Sequence, residues 1–249
     1  MRSRSAASGS SFSGAIFSAP EERCRRFTQW VLGYVDAARP LRVLEIGCGT
    51  GSQLVSLAAA LPKANFIGVD LSPQNVEVAN LRAEQLGLAP RLHFVACDYL
   101  RLPSAVHDLI VSYSTLHLIA CESRVLFNKI SGELVAGGLL MNVMPYECDF
   151  NAVLMKVRRA LALVRSPWTD LLVFRVAKLM HGHNMDDELI RERVLYMYQQ
   201  PQRLDGPALR RQMNDDCALE FVASVPERHA SVAQPKHRLI ISRKRGSVR

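Results

Sequence analysis

From Arg42 onward, short apolar runs alternate with segments of helical period, and the first two runs stop at a glycine and an acid. Arg42 to Ile46 is apolar and β-branched and stops at Gly47, and Ser52 to Leu61, rich in Leu, Val and Ala, reads as a helix. Asn65 to Val69 is a second strand ending at Asp70. Ser72 and Pro73 then supply an N-cap and a first helical position for a helix that runs to Leu86 and stops at Gly87. Leu92 to Ala96 is a third strand reaching Cys97 and Asp98, and Asp108 to Tyr113 a fourth. A helix over Glu122 to Val135, closed by Gly137-Gly138, leads to a fifth strand, Leu139 to Met144.

Such alternation demands a parallel sheet covered by helices on both faces, with its ligand loops at the carboxyl ends of the strands. Before it, Pro20 to Ala38 reads as an amphipathic helix ended by Arg39-Pro40. After it, Asn151 to Arg165 carries Leu154, Val157, Leu161 and Val164 on one helical face. Ser166-Pro167 starts a second helix, Asn184 with Asp187 caps a third, and a fourth follows Asp205. Leu219 to Ser224 and His237 to Ser242 return to strand character. The expected fold is α/β: a doubly wound, Rossmann-like, seven-stranded sheet, mostly parallel with an antiparallel last strand, plus a helical insertion after strand 5. Residues 1–19 form a tail or a lid (Phe12, Ile16 and Phe17 being apolar), 20–249 one domain, and 147–216 the insertion.

At 249 residues and 49% hydrophobic content, a single domain with a sizeable core is affordable. The net charge of +8 gathers partly at the ends, at Arg2, Arg4, Arg23, Arg25 and Arg26 and at Arg243, Lys244, Arg245 and Arg249. Such clusters bind phosphate backbones or remain solvated. With no basic run interleaved with aromatics, a nucleic-acid partner is not expected. The six cysteines, Cys24, Cys48, Cys97, Cys121, Cys148 and Cys217, show no CxxC spacing and fit reduced thiols in a cytoplasmic protein. His181-Gly182-His183 with Asp186 and Asp187 lacks further ligands at metal spacing, so no metal is expected. No apolar run approaches the ~18 residues of a membrane span, and no membrane partner is expected. A homodimer stays open.

The strongest local signal is Glu45-Ile46-Gly47-Cys48-Gly49-Thr50-Gly51, joining the first strand to its helix. Glycines let the chain turn sharply and bring backbone N–H groups against a ligand. The spacing is GxGxG, and Ser52 stands where a dinucleotide fingerprint has a further glycine. An acid two residues before GxGxG resembles the first motif of the class I S-adenosylmethionine-dependent methyltransferase family, and the likeness covers roughly residues 40 to 146.

The resemblance implies that Gly47, Cys48, Gly49, Thr50 and Gly51 pass under the methionine part of S-adenosylmethionine and that Glu45 orients its amino end. It implies that Asp70 accepts the ribose hydroxyls, that Leu71 packs on adenine, and that Asp98 receives the adenine amino group between Cys97 and Tyr99. Ser112 and Tyr113, in the run to His117, resemble the S-x-L-H pattern where cofactor and acceptor meet. If the acceptor atom carries a proton, His117 is the candidate base, with Tyr146, Glu147, His181 and His183 behind it.

Nucleic-acid amino methyltransferases of the class place Asn/Asp-Pro-Pro-Tyr/Phe after the fourth strand, and Ser112-Tyr113-Ser114-Thr115 departs from that. The expected activity is therefore methyl transfer to an O or N atom of a small organic acceptor. Met155, Trp168, Phe174, Met180, Met185, Tyr196 and Met197 could line its pocket. Two alternatives stay open: an NAD-dependent oxidoreductase on the same fold, and a non-catalytic protein binding S-adenosylmethionine or nucleic acid.

Overall fold

A computed structural model describes residues 18–181, 187, 190, 191, 194, 197–227 and 234–246. The strands are β1 (Arg42–Ile46), β2 (Asn65–Asp70), β3 (Leu92–Ala96), β4 (His107–Tyr113), β5 (Leu134–Pro145), β6 (Leu219–Pro226) and β7 (His237–Lys244). They form one seven-stranded sheet in the order β3-β2-β1-β4-β5-β7-β6. β1 to β5 pair in parallel, and β7 runs antiparallel to both β5 and β6, as expected for the last strand. Two reversals point β6 the same way as β1 to β5. The carboxyl ends of six strands and the start of β7 therefore share one edge.

Period-two alternation sorts the side chains into two cores. Val43, Leu109, Val111 and Met141 face α1 (Glu21–Leu32), α2 (Ser52–Ala60) and α3 (Pro73–Gln85). Leu44, Ile46, Ile110 and Leu140 face α4 (Ser123–Gly132) and α7 (Pro207–Cys217). Both faces are covered, so the strands are apolar throughout. Ser72 caps α3 as expected, its hydroxyl accepting from Asn75 N at 3.3 Å, and Gly87 turns out of the helix at φ 67°.

Two boundaries differ from the sequence expectation. α1 stops at Leu32, Gly33 N–H still reaching the carbonyls of Gln29 and Trp30, both at 3.2 Å, and the residues from Tyr34 to Ala38 lie beyond the helix. α4 ends at Gly132 and β5 already begins at Leu134, so Gly137-Gly138 lies inside a strand instead of closing a helix. The register jumps there from His107↔Leu134 to Leu109↔Leu139. Gly137, at φ 79°, accommodates the extra residues as a bulge does.

The described residues fall into two compact units, 18–154 with 201–246, and 155–200. The division lies within α5 (Asp149–Leu163). The second unit is narrower than the expected 147–216, because α7 buries Met213 and Cys217 in the α4 core of the sheet unit. Residues 155–200 include α6 (Pro167–His181) and a small core of Phe174, Ile190 and Val194. On α5 the expected apolar face is partly inverted, with Val157 exposed and Arg158 buried, and Val164 just beyond the helix is exposed too. Among the residues expected to line a pocket, Phe174 is in that small core, Trp168 is exposed, and Met155 and Met197 are half-buried. The side chains of Met180, Met185, Tyr196, His181, His183, Asn184 and Asp186 lie outside the described residues, as do Phe12, Ile16 and Phe17.

Candidate functional site

The glycine turn leaves β1 and docks immediately on β2. Gly47 N–H and Cys48 N–H both donate to the Val69 carbonyl, at 2.8 and 3.1 Å. Gly47 has φ 79°, a left-handed conformation, and a Cβ added there would run into the Thr115 side chain. A side chain at position 47 is thus excluded twice, by backbone sterics and by the loop after β4. Gly51, at φ 75°, opens α2 and lies against Phe94 and Ala79. The turn exposes backbone where any other sequence would place side chains.

Asp70 ties the neighbouring tips together. One carboxylate oxygen accepts from Gly49 N–H at 2.9 Å, the other from Ser72 N–H at 2.9 Å and from the Asn75 amide at 3.4 Å. Cys97 N–H donates to the Asp70 carbonyl at 3.0 Å, which brings the end of β3 alongside, and Asp98 caps the following 3-10 turn through Leu100 N–H at 3.0 Å. Gly49, Asp70 and Asp98 thus stand on adjacent strand ends of one edge. Leu71, beside Asp70, is half-exposed and presents an apolar surface.

Glu45 lies beneath the turn, almost wholly buried, and its Oε2 has no hydrogen-bond partner among the described residues. Burial pushes its carboxyl well above the usual value, Arg23 pulls it back, and Asp70 raises it further. A buried carboxylate oxygen without a donor is costly until a cation or donor arrives.

Several residues expected at the cofactor serve the scaffold. Tyr99 turns into the α4 core, its hydroxyl donating to Glu133 at 2.7 Å, so its ring does not flank a ligand beside Cys97. Ser112 donates to the Ile46 carbonyl at 2.8 Å and stitches β4 to β1. The Cys48 side chain packs into the α2–α3 core, and burial holds its thiol well above its usual pKa. Only its backbone belongs to the turn. Thr50 is buried, with its hydroxyl 3.5 Å from that of Ser52.

The tips of β4, β5 and β7 make a second half, assembled from distant residues. Tyr113 ends β4 with its ring edge-on to Phe27 at 5.9 Å and under the Arg23 guanidinium at 4.3 Å. Glu227 close by pairs with Arg26. Burial and the Glu227 charge raise the phenol pKa. Ser114 then adopts φ 57°, its N–H donating to the Val143 carbonyl at 2.8 Å, and the chain curls through Thr115 to His117. His117 is buried, and its ring stands edge-on to that of His237, with centroids 5.6 Å apart. His237 Nδ1 lies 2.7 Å from the Pro235 carbonyl; because a carbonyl only accepts, Nδ1 carries the proton.

Arg203, buried, holds this loop in shape. Its guanidinium donates to the carbonyls of Leu116, Ile119 and Cys121 and its Nε to the Ser123 hydroxyl, while Gln202 N–H donates to the His117 carbonyl at 2.7 Å. Sequence reasoning missed Arg203, Glu227 and His237, and read Arg23 and Arg26 as part of a basic terminus. Their only sequence signals are isolated charges far from any motif. Tyr146 and Glu147 follow β5 but belong to another cluster: Arg238 stacks on Tyr146 at 3.7 Å, and Glu147 lies against Gly206. Among the described residues, no group of His, Cys, Asp and Glu could hold a metal ion, and no helix is long and apolar enough to cross a membrane.

A sheet of this order, with an antiparallel seventh strand inserted beside the fifth and a glycine turn at the central strand, defines a Rossmann-like methyltransferase fold. Residues 43–138 match the family model described as a methyltransferase domain. That stretch carries the glycine turn, Asp70 and Asp98, and over it the chain is similar to class I S-adenosylmethionine-dependent methyltransferases.

Relatives by sequence include a release factor glutamine methyltransferase of Bradyrhizobium diazoefficiens, 43% identical over 30% of this chain and 26% of that protein. A trans-aconitate 2-methyltransferase of Methylobacterium radiotolerans is 30% identical over 53% of this chain and 48% of that protein. One from Mycobacterium sp. is 32% identical over 67% of this chain and 62% of that protein. The chain thus spans from about a quarter to about three fifths of these relatives' lengths. Among solved structures, geranyl diphosphate C-methyltransferase of Streptomyces coelicolor, in complex with S-adenosyl-L-homocysteine, aligns with TM-score 0.57 at 14% identity, covering 90% of this chain and 80% of that one. Magnesium protoporphyrin IX methyltransferase of Synechocystis, with the same product bound, aligns with TM-score 0.57 at 15% identity, covering 90% and 82%.

Proposed function

We propose that the protein transfers the methyl group of S-adenosylmethionine to an O or N atom of a small organic acceptor. The observation that carries the cofactor assignment is the buried Glu45 Oε2, which lacks a donor among the described residues, beneath a turn with no room for a side chain at positions 47 and 51. An ammonium group above the turn satisfies that oxygen, and the turn leaves room for the chain behind it. Asp70 already fixes the turn through Gly49 N–H and has lone pairs left for two neighbouring hydroxyls. Leu71 offers adenine an apolar face, and Asp98 offers its amino group an acceptor.

S-adenosylmethionine supplies an electrophilic methyl on a positively charged sulfur. The protein must align an acceptor with that methyl and keep water away, and orientation alone is worth about 7–11 kcal/mol in favourable cases. Tyr113 and the 114–117 loop, beside Gly47, occupy the position for this alignment. His117 takes the acceptor's proton where it has one.

The small-molecule reading rests on Ser112-Tyr113-Ser114-Thr115, which lacks the Pro-Pro-aromatic platform of nucleic-acid amino methyltransferases. The relatives' names alone span a release-factor glutamine and trans-aconitate, so they do not choose for this chain. The test is incubation of the protein with methyl-labelled S-adenosylmethionine and a cell extract split into small-molecule and macromolecular fractions. Label should appear in a small product gaining one methyl group. Label confined to protein or nucleic acid would refute the acceptor class and leave the cofactor assignment standing.

A further inference from the structure

α6 turns its more apolar side outward. Val173, Phe174 and Ala177 pack inward on Ile190 and Val194. The opposite side, at intervals of three and four residues, carries Trp168, Leu172, Val176 and Leu179, which are 80%, 61%, 50% and 88% exposed. Leu163 and Val164 before it are 83% and 60% exposed. A helix on a water-facing surface normally reverses this distribution. Single exposed leucines are ordinary, but a continuous apolar stripe marks a contact surface.

The charge near the stripe is mainly positive, although Arg158 is buried and Arg165 and Lys178 are paired with Asp170 and Asp187. Between Met155 and His181, Lys156, Arg158, Arg159, Arg165, Arg175 and Lys178 stand against Asp170 alone. Asp170 pairs with Arg165 at 3.4 Å. Helical spacing puts Arg175 within the outward stripe and Lys178 at its flank, where Lys178 meets Asp187 at 2.7 Å. A second copy is a poor occupant, because a two-fold contact is self-complementary and would press this cationic face on itself.

We propose that the outward face of α6 docks on an anionic lipid surface. Leucines and Val176 enter the acyl boundary, Trp168 sits at headgroup depth, and Arg175 and Lys178 reach phosphates while their stems lie along the apolar stripe. With 15 residues, α6 is about 22 Å long and lies in the plane of the surface. The sequence expectation of no membrane partner concerned runs long enough to span, and this association spans nothing. It does not depend on the reading of the strand tips.

The full chain is pelleted with vesicles of phosphatidylglycerol and phosphatidylcholine, and with phosphatidylcholine alone. In a Trp30→Phe background, Trp168 is the only tryptophan left as a fluorescence reporter. Binding should favour the anionic vesicles, weaken with salt and shift Trp168 emission to the blue. Leu172→Glu should lower partitioning by about tenfold or more, and Arg175→Gln by several-fold on anionic vesicles only, with S-adenosylhomocysteine affinity and circular dichroism unchanged as controls. Failure to bind anionic vesicles, binding that survives Leu172→Glu, or a concentration-dependent dimer abolished by Leu172→Glu would each overturn the proposal.

Discussion

The two halves of the carboxyl edge are built in opposite ways. At the tips of β1, β2 and β3, nearly every fixing contact joins residues of one short stretch: Gly47 and Cys48 to Val69, Gly49 and Ser72 to Asp70, Cys97 back to Asp70. At the tips of β4, β5 and β7, the loop from Ser114 to His117 is held by residues from far along the chain. Arg203 reaches Leu116 across 87 positions, and Arg26 meets Glu227 across 201. Under the proposed function, the contrast separates a cofactor half, which a local motif can encode, from an acceptor half, which exists only once the sheet has closed. Acceptor preference can then change through distant residues while the cofactor grip stays intact.

The largest expected effect sharpens this contrast at His117. His117→Ala should lower kcat by about 10²–10⁴-fold with an acceptor that carries a proton, while calorimetry finds S-adenosylhomocysteine affinity little changed. Equal losses in both quantities would dissolve the distinction between the halves. Arg203→Ala should come next, lowering stability by about 1–3 kcal/mol or more in denaturant titration because it leaves buried carbonyls without donors. Its remaining folded fraction should still bind S-adenosylhomocysteine.

Gly47→Ala touches both halves, since its Cβ meets Thr115 from a left-handed backbone. It should cost about 1–3 kcal/mol of stability and weaken the product and the acceptor together.

The smallest effect is a proton. Burial raises the Glu45 pKa well above 4.5 in the folded protein, so the folded state holds this proton more tightly than the unfolded chain does. Its stabilising contribution is complete below about pH 4.5 and fades as pH rises through the elevated folded value. An ammonium placed beside the carboxylate reverses that shift, so binding at or below the raised value releases a proton. Calorimetry in two buffers of different ionisation enthalpy should show the release, and Glu45→Gln should abolish it.

The same contrast explains what could be read from the residues alone. The alternation of apolar runs and helical segments located all seven strands, and the acid before GxGxG with Asp70 and Asp98 located three adjacent tips, because period and turn chemistry are local. Gly137-Gly138 misled for the opposite reason: a glycine pair ends a helix or opens a bulge equally well, and the pairing of β5 with β4 decides. Tyr99 and Ser112 sit at the right strand ends but point into the scaffold, a direction set by Glu133 and the Ile46 carbonyl. Arg203 looks like any arginine in sequence, and its role appears only when the loop after β4 folds around it.

The most direct test of the account is calorimetric titration of S-adenosylhomocysteine into the protein and into Asp70→Ala, with circular dichroism confirming that both are folded. The protein should bind the product one to one and ignore NADH, and Asp70→Ala should lose about 100-fold or more in affinity, since removing the carboxylate frees Gly49 N–H as well as the ribose hydroxyls. Undiminished binding by Asp70→Ala, or no binding by the unaltered protein, would contradict the account.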